Sequence, residues 1–217
     1  EIENIPVQTY DSSKGETPAS ILVKVFRLYP NVLVVRDLVD GETVQMLCEN
    51  ISREDRVIVG TIRAKDCAEA LLRVLALKVP PEEFAACVTG VLNQRLIRKL
   101  CEKCKQAYQP TPQMLQQLGF PPGKPLTFYR PPQPTPEQPT IEPCETCGGI
   151  GYYGQTGLFE WWTIEETIRK VLATRPKLDL LRKAARQAGM RTMQEEGLLL
   201  VAKGVTSLQE LTRVMKL

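Results

Sequence analysis

Two C-x-x-C pairs, Cys101 with Cys104 and Cys144 with Cys147, constrain this chain more than any other feature. Each pair can span one edge of a tetrahedron, so the four thiolates together suit tetrahedral zinc. The second pair runs on into Gly148 and Gly149, which lets backbone amides turn around a metal-bound sulfur. With all four positions filled by protein, such a site is closed and therefore structural. Two disulfides, or reduced thiols in a degraded site, are the alternatives, and a cytosolic setting disfavours the disulfides. The separation between the pairs exceeds that of common zinc ribbons, and the proline-rich stretch between them accounts for it by looping out. Cys48, Cys67 and Cys87 lie in helical patterns and read as core residues.

The chain of 217 residues can hold one medium domain or two small ones and bury a real core. No apolar run approaches the roughly 18 residues that cross a bilayer, and "EIENIPVQTY" at the start lacks the features of a signal peptide. The expectation is a cytosolic protein which, lacking an initiator Met, is a fragment of something longer. A formal net charge of +3 is too small to argue for nucleic acid. No histidine is present, so any chemistry falls to carboxylates, cysteines, Arg and Lys.

Hydrophobic periodicity organises the rest. Val32 to Val35 reads as a buried strand, Gly41 to Ile51 as a helix, and Arg56 to Ile62 as a second buried strand. Asp66 with Glu69 makes a capping box for "CAEALLRVLALKV". A further helix from Pro81 would place Phe84, Val88, Val91, Leu92 and Leu96 on one face. Strand, helix, strand, helix implies an α/β fold, with a parallel sheet covered by helices and ligands beyond the carboxyl ends of its strands. Asp37 and Arg63 fall at that edge. The stretch 110–143 holds most of the prolines and reads as an extended excursion. Beyond Gly157 the pattern is helical: Thr163 with Glu166 and Ser207 with Glu210 resemble capping boxes, and Gly189 is placed to end a helix from Pro176. These helices suggest a small C-terminal bundle, with Trp161 and Trp162 as packing residues at a domain junction.

Three stretches then carry a family resemblance: "GVLNQRLIRKLCEKC", "CETCGGIGYYGQTGLFE" and "AGMRTMQEEGLLLVAKGVTSLQEL". In that order they resemble successive signatures of the type II secretion and type IV pilus assembly ATPases, the general secretion pathway protein E family. The resemblance implies three segments. Residues 1–100 would form the C-terminal part of a RecA-like P-loop ATPase core, 101–158 a tetracysteine zinc-binding segment, and 159–217 a helical subdomain. "IENIPVQ" resembles the family's acidic segment, making Glu3 the match to the glutamate that activates water. "PNVLVVRDLVDGET" is similar to the Walker B segment: Arg36 replaces Gly, Asp37 replaces the Glu that helps hold magnesium, and Val39 replaces Arg. Asp40, Glu42 and Thr43 are retained. Arg63 stands where the family has His, and Gln155 where "GRTG" has Arg. Arg27 in "FRLYPN" matches an arginine near the nucleotide.

The resemblance implies Glu3, Asp37 and Asp40 as catalytic positions, and Arg27 and Arg63 in the nucleotide vicinity. Structural zinc on the four cysteines is the expected cofactor. Nothing in the chain reads G-x-x-x-x-G-K-[ST], so ATP and Mg2+ are expected only if such a loop lies upstream of Glu1. An arginine beside Asp37 would compete with the metal as an ion pair. These departures imply weak or absent hydrolysis and a role as a ring or assembly subunit. The alternative is the C-terminal part of a working motor. Family partners would be the other subunits of a homo- or hetero-hexamer, an inner-membrane platform protein and a membrane-anchoring protein. The expected location is cytoplasmic, peripheral to the inner membrane, with no nucleic acid bound.

Overall fold

The computed structural model describes residues 3, 5–53, 56–121, 126–134 and 142–216. In chain order its elements are α1 (Pro18–Phe26), β1 (Val32–Val35), α2 (Gly41–Arg53), β2 (Val57–Gly60), α3 (Cys67–Ala76), α4 (Pro81–Cys87) and β3 (Gly90–Leu100). Then come β4 (Gln106–Tyr108), α5 (Pro112–Gln117), β5 (Phe128–Arg130), β6 (Tyr152–Thr163), α6 (Glu166–Ala173), α7 (Leu178–Gln187), α8 (Met193–Ala202) and α9 (Leu208–Met215). A single-turn 3₁₀ helix, Ser12–Lys14, precedes them. The chain divides into two compact units, 1–91 with 161–190, and 92–160 with 191–217.

In the first unit, β1 and β2 pair in parallel, Val32 opposite Val57 through Val35 opposite Gly60. Parallel neighbours need a crossover, and α2 supplies it. The apolar runs of the sequence predict that both strands are buried. The pair instead shows Val32, Val34, Val57 and Val59 on an open face, each 47–61% exposed. Leu33, Val35 and Ile58, on the opposite face, are half-buried. The core lies among the helices: Val44 and Cys48 of α2, Cys67, Leu71 and Val74 of α3, Phe84 of α4, Ile168 and Leu172 of α6, and Leu181 of α7. Fully burying each such aliphatic side chain favours folding by roughly 1.5–3 kcal/mol.

Local sequence sets the ends of these helices. Asp66 caps α3 by accepting from the Glu69 amide at 2.7 Å. The Glu69 carboxylate turns instead to the Lys65 amide and to Arg73, so the expected reciprocal arm reaches one residue further back. The helix read from Pro81 stops at Cys87, and Val88 is already extended. The Arg169 guanidinium donates to the carbonyls of Ala85, Ala86, Val88 and Ile164, satisfying the α4 C-terminus from α6. Val91, Leu92 and Leu96 therefore belong to a strand.

The second unit contains most of β3 and β6, which pair with each other, and the β4–β5 antiparallel pair, with Ala107 opposite Tyr129. Its core joins Ile97, Phe128 and Leu158 to Met193, Leu198, Val201, Leu211 and Val214 of the last helices. Two features differ from what the sequence predicts. The stretch after Gly157 is not helical at once, because β6 continues to Thr163. There the Thr163 hydroxyl accepts from the Trp161 indole and caps nothing, and Glu165 begins α6 without a side-chain cap. The proline-rich excursion is partly structured as well. Pro112 sits in the first turn of α5 behind the Thr111 cap, and Leu115, Leu118, Phe120 and Leu126 pack on the unit's core. Residues 135–141 of that excursion lie outside the described residues.

The other caps follow the sequence. Ser207 Oγ accepts from the Glu210 amide at 3.1 Å to start α9. Gly189, at φ +77°, ends α7. Trp162 is buried, whereas Trp161 is 56% exposed. Among the described residues no helix is long and apolar enough to cross a membrane.

Candidate metal centre and acidic strand edge

Cys101 and Cys104 sit on the turn that follows β3, and Cys144 and Cys147 on the turn that precedes β6. Pairing of β3 with β6 brings the two turns to the same end of the sheet, where the Cys101 amide donates to the Gly151 carbonyl at 3.0 Å. The four Sγ atoms all lie within 4.8 Å of one another. Cys101 and Cys144 are 3.9 Å apart, Cys104 and Cys147 3.7 Å. A tetrahedron with metal–sulfur bonds of about 2.3 Å has sulfur–sulfur edges of about 3.8 Å, which both of these separations match.

Backbone amides complete the arrangement. The Gly151 amide donates to Cys147 Sγ at 3.3 Å. Each turn closes on its own first cysteine, Cys104 to the Cys101 carbonyl and Gly148 to the Cys144 carbonyl. Gly148, Gly149 and Gly151 all have positive φ, between 62° and 83°. Amides of Cys147 and Thr146 hydrogen-bond the Cys144 sulfur and bring that thiol down to about 7, within reach of its metal-binding thiolate at neutral pH. Burial pushes Cys104 the other way. Cys101 and Cys147 are buried and the other two half-buried, so a metal held here would be largely shielded from water. The donor set, spacing and amide turns fit a four-coordinate soft metal ion, as the spacing of the cysteines predicts.

The acidic edge is built differently. Asp37 follows β1 with φ at 55°, a left-handed conformation that an Asp tolerates better than a branched residue. Its amide donates to Thr61 Oγ1 at 2.9 Å, Thr61 donates to the Val35 carbonyl, and Leu38 donates back to the Thr61 carbonyl at 2.8 Å. Thr61 thus holds the turn from the end of β2, a role that no local motif in the sequence announces. Asp40 is the N-cap of α2: its oxygens accept from the Thr43 amide at 2.7 Å and the Thr43 hydroxyl at 2.8 Å, and Thr43 is 1% exposed.

Among the described residues, no ion pair joins Arg36 to Asp37. Arg63 is exposed three residues beyond β2, on the same carboxyl edge as Asp37. Arg27 caps α1 on the segment that enters β1, so it approaches the strand from its amino end. Glu3 is exposed, and its neighbours Ile2 and Asn4 lie outside the described residues. The edge thus brings Asp37 and Asp40 together on one connection. No glycine-rich phosphate cradle accompanies them among the described residues, and the Asp40 carboxylate is already occupied as a cap.

Comparison with known proteins places these features. The chain is 29% identical over 212 residues to the type IV pilus assembly ATPase PilB of Thermus thermophilus, covering 97% of this chain and 23% of that protein. It is 31% identical to type II secretion system protein E of Dickeya dadantii, over all of this chain and 41% of that one. It is also 31% identical to the protein transport protein HofB homolog of Escherichia coli, covering 93% and 40%. The chain therefore spans well under half the length of these relatives. Its fold resembles that of the pilus retraction motor PilT solved with bound ADP (TM-score 0.57, 14% identity, 92% of this chain and 43% of that one). The Legionella pneumophila ATPase DotB is similarly alike, at TM-score 0.56, 12% identity and coverage of 92% and 42%. The family model for type II/IV secretion system proteins matches residues 1–213, and the chain belongs to that family.

Proposed function

We propose that this chain is the C-terminal part of a type II secretion or type IV pilus assembly ATPase-like protein that serves as a ring or assembly subunit with weak or no ATP hydrolysis of its own. The observation that supports this reading is the acidic edge: Asp40 is engaged as the α2 cap, and Asp37, just beyond β1, stands where the family resemblance expects the longer Glu. Phosphoryl transfer depends on a well-placed metal-holding carboxylate, and the Asp37 side chain is one methylene shorter than the Glu it replaces.

Residues 1–100 would then be the end of a RecA-like core, 101–158 a zinc-bearing segment, and 159–217 a helical subdomain. Zinc is the metal proposed for Cys101, Cys104, Cys144 and Cys147, because four thiolates at these spacings form a closed structural site. Glu3, Asp37, Asp40, Arg27 and Arg63 are proposed as degenerate nucleotide-site positions. The proposed partners are the other subunits of a hexameric ring, an inner-membrane platform protein and a membrane-anchoring protein, met at the cytoplasmic face of the inner membrane.

A second reading, the C-terminal part of a working motor, is favoured by the coverage: relatives named as ATPases are more than twice as long as the matched region. A phosphate-release assay on this chain is expected to give background rates. Turnover that Asp37→Ala abolishes would overturn the non-catalytic reading in favour of the motor.

A further inference from the structure

Cys48 and Cys87 are far apart in sequence and meet in space. Cys48 lies in the middle of α2 and Cys87 is the last residue of α4, and their Sγ atoms are 2.6 Å apart. Both belong to the core of the first unit, apart from the four clustered cysteines, which belong to the second. Cys48 is 5% exposed, whereas Cys87 is only half-buried, so one thiol of the pair is reachable from solvent and the other stands behind it.

From this geometry we propose that Cys48 and Cys87 form an oxidative modification site, in which a peroxide converts the two thiols into a disulfide joining α2 to α4. Cys87 is the attacking sulfur. The contact with Cys48 favours its thiolate, as does the Arg169 guanidinium that clamps the neighbouring carbonyls of α4. The Cys87 thiolate attacks one peroxide oxygen, breaking the O–O bond, and becomes a sulfenic acid. The departing hydroxide takes a proton and leaves as water. Cys48 sulfur then attacks the sulfenic sulfur. The S–S bond forms as the S–O bond breaks, and the Cys48 proton leaves with the hydroxide as a second water. Two thiols are oxidised by two electrons, one peroxide is reduced, and a dithiol reverses the step by exchange.

The third core cysteine makes an internal control. Cys67 is 0% exposed, and its thiol lies 3.5 Å from the Val91 carbonyl. Its complete burial denies a peroxide the access that Cys87 offers.

The location gives the link a consequence. α2 starts at Gly41, directly after Asp40, and a Cβ at Gly41 would come within 2.2 Å of the Leu77 carbonyl, so the start of the helix is already tightly seated. A bond from Cys48 to α4 would fasten the middle of the same helix and restrain the turn carrying Asp37 and Asp40.

The test uses the folded, metal-loaded protein. It is treated with hydrogen peroxide, unfolded in excess iodoacetamide, digested and mapped by mass spectrometry. The expected product is a peptide pair linked through Cys48 and Cys87, about 2 Da lighter than its thiol form and restored by dithiothreitol. Cys67→Ser should leave the link intact, and Cys87→Ser should abolish it. Recovery of Cys48 and Cys87 both alkylated, or of either linked chiefly to another cysteine, overturns the proposal. Because the mapping is done on the unsubstituted protein, a variant that fails to fold does not rescue it.

Discussion

Glu210 shows how much a single buried charge can organise. Its side chain is fully buried, yet it accepts from Arg98 at 2.6 Å and from Arg213 at 2.7 and 2.8 Å. Burial alone would raise its pKa. The hydrogen bonds from Arg213 and Arg98 outweigh burial and hold it at about 2, well under the ordinary 4.5. Because the folded-state value is depressed, the ionised pair stabilises the fold fully above pH 4.5, and that contribution is lost as the pH falls from there towards 2. Glu210→Gln removes the charge while keeping the shape, and should cost about 2 kcal/mol at neutral pH, because both guanidiniums are partly exposed and regain water. Urea unfolding followed from pH 7 to pH 2 should show the parent losing more stability than the variant across the acid range. Parallel curves would mean the pair contributes nothing. The sequence disclosed Glu210 only as a capping residue, since its partner Arg98 is 112 positions away.

Elements were legible where a local rule decided them and illegible where packing did. Val32 to Val35, the α3 cap at Asp66 and the stop at Gly189 all follow from neighbouring residues. The error after Cys87 has a physical cause: Val88, Val91, Leu92 and Leu96 fit a helical face as well as a strand, and the pairing of β3 with the distant β6 decides between them. The docking of α5 was hidden as well, since the partly buried apolar residues that anchor it are set among prolines. Helix packing supplies an equally local test. Gly197 lies within α8, where alanine is ordinarily the better helix former by roughly 1 kcal/mol. Here an added Cβ would lie 2.2 Å from Leu211 Cδ1 of α9. Gly197→Ala should therefore destabilise the protein, by about 1–3 kcal/mol, through overpacking of the helix pair. Thermal unfolding reads the sign, and a higher melting temperature would mean that Leu211 yields at little cost.

At the scale of the whole molecule, the chain order and the compact units do not coincide, because each unit is assembled from two separate stretches. The cysteine cluster was legible because each C-x-x-C spacing is a short-range signal. The acidic edge was legible as a strand end carrying Asp37 and Asp40, but the engagement of Asp40 by Thr43 and the support from Thr61 arise in the folded chain. The four cysteines fix the ends of β3 and β6 in the second unit, and their sulfurs can approach this closely only if the negative charge of the thiolates is neutralised or the thiols stay protonated. A bound cation meets that requirement, so metal removal should loosen the turns at 101–105 and 144–151 before anything else. Purified protein is expected to contain about one zinc per chain, released by a strong chelator or by Cys101→Ser with Cys147→Ser. Hydrogen exchange should then rise first in those turns and in the adjoining ends of β3 and β6, while α3 and α7 of the first unit keep their protection. Absence of metal, with all seven cysteines titrating freely in the folded protein and no change in exchange on chelation, would remove the metal from the account and leave the cluster as four close thiols.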